Sequence, residues 1–113
     1  MSKFMVMYII PAAVVAEWRQ TDPETRKDAE DKMRQEWDQW MRDHASMILS
    51  TEVGGKTKQV DSTGISDTKN DIILFSFIEA ASHEAATEAF KNHPHLQIQR
   101  ARIEVMEVKQ MGG

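Results

Sequence analysis

Cysteine is absent from the 113 residues. That rules out disulfides, thiolate nucleophiles and thiolate metal ligands together. Proline occurs three times and glycine five times, too seldom for a linker-rich or low-complexity chain. No apolar run approaches the roughly 20 residues that a membrane-spanning helix needs. An excess of positive charge is missing as well. Fourteen Lys and Arg stand against eighteen Asp and Glu, a net charge of -4. A nucleic-acid binder, or a protein docking on an anionic membrane, carries the opposite balance.

What is present suits a folded domain: 41% of residues are hydrophobic and 28% charged, enough for one core in a single domain covering residues 1–113. The apolar opening runs on into Ile9, Ile10 and Pro11 with no basic leader and no small-residue cleavage site. It reads as a first strand rather than a signal peptide, and a cytoplasmic location is expected.

Residues 3–10 are rich in β-formers, and Pro11 ends them. One face carries Phe4, Val6, Tyr8 and Ile10, the other Met5, Met7 and Ile9. A strand with one wet face alternates, so this one is predicted to be covered on both sides. Residues 12–20 form a short helical turn carrying Val14, Val15 and Trp18. Asp22-Pro23-Glu24 then starts a long helix: a capping residue, proline at the first helical position, and acid near the positive end of the helix dipole. Over residues 23–45, Ala29, Met33, Trp37, Trp40, Met41 and Ala45 recur every three or four positions and make one apolar stripe.

Residues 46–53 read as a strand, Gly54-Gly55 as a hairpin turn into residues 56–61, and the polar, aperiodic residues 62–70 as a loop. Residues 71–79 repeat the two-faced pattern, with Ile72, Leu74 and Ile78 on one side and Ile73, Phe75 and Phe77 on the other. Ser82 caps a second helix whose inward residues are Ala85, Ala86, Ala89 and Phe90, and Pro94 stops it. Residues 97–100 are a short connection and residues 101–110 the last strand.

The order matches the α+β ferredoxin-like βαββαβ arrangement, an antiparallel four-stranded sheet with a hairpin extension. The two strands with two apolar faces fall at its centre. Two helices cover one face of such a sheet and no segment remains for the other, so a homodimer pairing sheet to sheet is expected.

The stretches KFMVMYIIP, the helix with Trp37 and Trp40, FSFIEAASHEAATEAFKNHPHL and the ending IEVMEV resemble the YCII-related family. The resemblance spans residues 3–108. It implies the dimeric α+β barrel superfamily, in which two ferredoxin-like sheets pack face to face. Better understood relatives use a His–Asp pair, with the aspartate just before a proline near the end of the second helix. Here that dipeptide is His93-Pro94, with imidazole where the carboxylate stands in relatives. The resemblance therefore implies the fold and the pairing, while their dehalogenase-type or peroxidase-type reactions do not transfer. A monooxygenase-like role, as in another branch of the superfamily, would need a wide apolar cavity.

His93 and His95, flanking a proline, are the most distinctive candidates for chemistry: general acid and base near neutral pH, or two ligands of a divalent ion. Against this stands the plain reading of histidines at a helix end. No third-ligand motif accompanies the pair, so no metal and no organic cofactor is expected. His44 joins the catalytic candidates from the inner side of the long helix, or is a partly buried histidine bonded to a backbone carbonyl. His83 reads as exposed. Trp40, like Trp37, is either core-facing payload or the flat wall of a site for a planar ligand. Trp18 lies off the stripe and is the better candidate for a pocket mouth, with Tyr8 pointing into the same cleft. Asp61, Asp67 and Asp71 flank the polar loop, and Asp67 becomes a ligand-binding candidate if that loop folds over the cleft. The function expected is a small-molecule binder or enzyme working by histidine acid–base chemistry. The alternative is a non-catalytic dimerisation module.

Overall fold

A computed structural model describes residues 1–112. It contains β1 (Ser2–Ile9), α1 (Ala12–Arg19), α2 (Pro23–Asp43), β2 (Ile48–Val53), β3 (Thr57–Asp61), β4 (Gly64–Thr68), β5 (Ile72–Ala80), α3 (His83–Ala89), a 3₁₀ turn (Pro94–Gln97) and β6 (Arg102–Glu107). The main sheet has the order β2-β5-β1-β6 and every pairing is antiparallel. With β1 and β5 in the middle this is the ferredoxin-like arrangement.

The helix starts follow from local chemistry. An Asp22 side-chain oxygen accepts the Thr25 N–H at 3.1 Å, and Ser82 Oγ accepts the Ala85 N–H at 3.0 Å. Each cap satisfies an N–H that the first helical turn leaves without a partner. α2 and α3 pack on one face of the sheet. There Phe4, Val6, Tyr8 and Ile78 are sealed beneath Trp40, Ala86 and Phe90, with Trp37 and Met41 partly buried around them. Each of the larger aliphatic and phenyl groups contributes about 1.5–3 kcal/mol by leaving water. Ala45 and Ala85, expected to face inward, are exposed.

The opposite face has no layer over it. Cross-strand register places Met5 beside Phe77 and Met106, and Met7 beside Phe75 and Glu104. Phe75 and Phe77 meet edge to face at 6.2 Å, and the Lys3 ammonium lies 4.9 Å from the Phe77 ring centre. Both contacts only partly shield these side chains.

Beyond shifts of one to three residues at element ends, three features differ from expectation. The segment expected to be a loop, residues 62–70, contains β4, which pairs with β3 around a turn at Asp61–Gly64. The hairpin turn is therefore there and not at Gly54-Gly55. Asp61 Oδ1 accepts from the Thr63 N–H at 2.8 Å and its hydroxyl at 2.6 Å, and Gly64 takes a φ of +132°. A side-chain carboxylate thus organises the turn, and a residue without a Cβ closes it. Those hydrogen bonds hold the Asp61 carboxyl below its usual range, the Thr63 hydroxyl contributing most. Gly54 instead marks a close crossing: its N–H bonds Ile73 O at 2.9 Å, and a Cβ there would sit 3.0 Å from Ile72 O. The third difference is at Pro94. α3 ends at Ala89, where Phe90 N–H turns back to Thr87 O, and Pro94 opens the 3₁₀ turn that follows.

β3 and β4 pair with each other and extend the β2–β5 ribbon beyond the main sheet. The radius of gyration is 16.1 Å, against about 13 Å for a compact domain of this length.

Candidate functional site

The His93-Pro94-His95 segment is buried under α2. His93 is 1% exposed and His95 0%. His93 acts as cap of the 3₁₀ turn, its Nδ1 accepting the His95 backbone N–H at 3.0 Å. That places the ring proton on Nε2. His95 Nε2 lies 3.0 Å from Ile9 O, and since a carbonyl only accepts, this nitrogen carries the proton and Nδ1 is bare. His93 Nε2 and His95 Nδ1 are left buried with no partner, a cost of about 1–3 kcal/mol for each such group.

The surroundings of His93 are aromatic: Trp37 at 4.3 Å, Trp40 at 4.5 Å and Tyr8 at 5.3 Å between ring centres. Burial in that setting disfavours the imidazolium, and the His95 and His44 imidazoles add to it, so the His93 pKa is pushed down to about 3. Burial lowers that of His95 too, opposed by the Ile9 carbonyl that accepts its Nε2 proton. Titration of His93 near neutrality is disfavoured, because no counter-charge offsets its loss of water.

Tyr8 is fully buried, and its hydroxyl lies 3.3 Å from Ser76 Oγ, which in turn is 2.7 Å from Thr51 Oγ1. Burial pushes the phenol up to about 12, slightly eased by the Ser76 bond. Tyr8 points into the core rather than into an open cleft. His44 caps the end of α2, with Nδ1 2.8 Å from Trp40 O and its ring stacked on Trp40 at 4.0 Å. That is the carbonyl-bonded histidine anticipated as the plainer reading. His83 is exposed at its edge, yet its Nε2 lies 2.8 Å from Val105 O and its ring covers Phe4 at 5.1 Å. Four expected site residues, Tyr8, Trp40, His93 and His95, therefore meet in one sealed cluster, with His44 at its margin. Among the described residues no three His, Asp or Glu side chains gather as a metal would require.

Trp18 lies elsewhere. It lines a cleft of about 700 Å³ together with Ile10, Val14, Met33, Ile73 and Ile98. Polar groups stand around it: Glu30, Lys32, Gln97 and Gln99. The Trp18 indole N–H donates to Glu30 Oε1 at 2.9 Å, and Gln97 donates to Glu36 Oε2 at 2.6 Å. The first bond ties α1 to α2, and the second ties the 3₁₀ turn to α2. Small Ala29 and unbranched Met33 on α2 leave the room between them. The sequence reading missed Glu30, Lys32, Gln97 and Gln99. The two acidic and basic residues lie among the charged positions of α2, which pattern alone assigns to solvent. The glutamines flank Ile98 two and four residues after His95, in a segment read only as a short connection, and nothing in their pattern pointed inward.

Asp67 is in β4, exposed, in an ion pair with Lys58 at 2.7 Å. It belongs to the projecting ribbon, and does not line the Trp18 cleft. A smaller groove of about 310 Å³ lies beside Phe90, Lys91, Leu96 and Arg102. No helix among the described residues is long and apolar enough to cross a membrane.

No protein-family model matches this chain, and no curated protein matches it. Among solved structures, one similar chain is 5-chloro-2-hydroxyhydroquinone dehydrochlorinase from Burkholderia phenoliruptrix AC1100, in complex with 2,5-dihydroxybenzoquinone. It is 17% identical over 92% of this chain and 91% of that one, with a TM-score of 0.45. A likeness of that size does not bear on shared chemistry. The fold assignment stands on strand order and register.

Proposed function

We propose that this protein is a homodimeric small-molecule binder of the dimeric α+β barrel type, holding a planar, largely apolar ligand in the cleft beside Trp18. The observation that carries the reading is the cleft itself: about 700 Å³, with an apolar floor and Glu30, Lys32, Gln97 and Gln99 around it. Binding sites for small organic molecules have that size and that mixture. The indole is held in place by its bond to Glu30, so its face is available for stacking without loss of side-chain freedom on binding. The uncovered apolar side chains Met5, Met7, Phe75 and Phe77 on the open sheet face support the same assembly, and a cytoplasmic setting belongs to this reading.

Acid–base catalysis by His93 and His95, with His44, is the second reading. One observation favours it: the buried, partnerless His93 Nε2 and His95 Nδ1. A substrate would reach them only after the aromatic cluster opens. The two readings separate by experiment. Intrinsic tryptophan fluorescence and thermal shift are recorded against a panel of planar aromatic acids, phenols and amides, with wild type and Trp18→Ala. At least one compound is expected to bind wild type, with affinity falling tenfold or more in Trp18→Ala, about 1.4 kcal/mol. Binding unchanged by Trp18→Ala but lost in His93→Asn would move the site to the histidines. No binder for either protein would remove the ligand-binding reading.

A further inference from the structure

Beyond the cleft, one part of the molecule has no role inside its own chain. The β3–β4 ribbon stands off the body, with Val60 and Ile65 directly opposite each other and 75% and 71% exposed. The same face carries the Lys58–Asp67 ion pair, while Gln59 and Ser66 pair on the other. An isolated two-stranded ribbon is marginal in water, and an apolar cross-strand pair at its end adds to the surface left wet.

We propose that this ribbon is an arm that docks, by its Val60–Ile65 face, on a second copy of the chain within the same dimer. The inference rests on the sheet-to-sheet pairing proposed above. Area points to the second copy as occupant. Four strands of up to nine residues make a patch of about 19 by 30 Å, roughly 600 Å² a side. A stable interface takes about 800 Å² from each partner, and lasting homodimers take more. Counting its protruding side chains, the sheet face alone comes at best near that lower figure, and the arm supplies further area. Continuity points the same way. The arm prolongs β2 and β5, two strands of the sheet that would form the interface, so it projects past its own body next to wherever the partner's sheet lies.

The test is hydrogen exchange at the amides of residues 57–68, measured at protein concentrations on both sides of dimer dissociation, with sedimentation run in parallel. Cross-strand amides of the arm are expected to exchange at least tenfold more slowly in the dimer. The double variant Val60→Asp/Ile65→Asp, checked for an unchanged circular dichroism spectrum, is expected to raise the dimer dissociation constant at least tenfold. A dimer whose arm exchanges as fast as in the monomer, or whose dissociation constant ignores the double variant, overturns the arm and leaves the sheet pairing standing. A chain that stays monomeric at all concentrations overturns both. Because the chain has no cysteine, a single Val60→Cys substitution gives a unique point for cross-linking, which is expected to join the arm to the partner.

Discussion

His93 and His95 differ from the other two histidines in where their free nitrogens lie. His44 and His83 sit at margins and bond a backbone carbonyl each, whereas the pair is enclosed by rings and keeps one unsatisfied nitrogen apiece. That has a consequence for stability. The folded His93 takes a proton only near pH 3, while in the unfolded chain it does so near its ordinary value of about 6.5. Unfolding therefore takes up a proton at any pH between those values. Stability is full above about pH 6.5 and falls as pH drops through the window, by about 1.4 kcal/mol per pH unit for this group, or about 2 kcal/mol by pH 5. His95 shifts in the same direction and steepens the fall. Urea unfolding from pH 8 to pH 4 is expected to show this loss, and His93→Asn to flatten the slope. A slope unchanged by His93→Asn would mean that other groups carry the acid sensitivity.

Among the elements, the end of β2 leads into a close approach to β5. Gly54 hydrogen-bonds Ile73 O and leaves no room for a Cβ between the strands, whereas Gly55 next to it faces open space. Gly54→Ala must displace backbone carbonyls, and is expected to cost about 1–3 kcal/mol. Gly55→Ala is expected to fall within about 0.5 kcal/mol of wild type. Thermal unfolding of the two variants side by side checks the contrast, and equal stabilities would show that the crossing relaxes freely. The same glycines show where pattern reading stops. Two adjacent glycines between two β-rich segments signal a turn, but the tight turn is made by Asp61 and Thr63 with Gly64. The loop expected at residues 62–70 became a strand because Ile65 and its polar neighbours find cross-strand partners in β3, a benefit that one strand read alone does not display.

At the scale of the whole molecule, one face of the sheet stays open. Met5, Met7, Phe75 and Phe77 share it with Met106, which is 49% exposed. Phe77→Arg puts a charge in the middle of this face while leaving the helix-covered side untouched. Sedimentation equilibrium is expected to show a dimer for wild type at micromolar concentration and a monomer for Phe77→Arg, with the dissociation constant raised a hundredfold or more. A wild-type monomer at that concentration would remove the pairing and with it the resemblance to the dimeric barrels as a guide to assembly.

The order of the four main strands and the helices between them, the helix caps at Asp22 and Ser82, the central place of β1 and β5 and their two apolar faces were legible in the sequence, because each rests on neighbours within a few residues or on a period of two or of three to four. The candidate site was legible only in part. Histidine and tryptophan stood out by type, but whether His93 faces water or an aromatic core depends on Trp37 and Trp40, which α2 lays over it from more than fifty residues away in the chain. Trp18 was placed at a pocket mouth for being off the helical stripe. The cleft's floor and polar groups come from α1, α2, β5 and the segment after His95, and only the folded chain brings those four together. Distance along the sequence, and not residue type, separates the two kinds of knowledge.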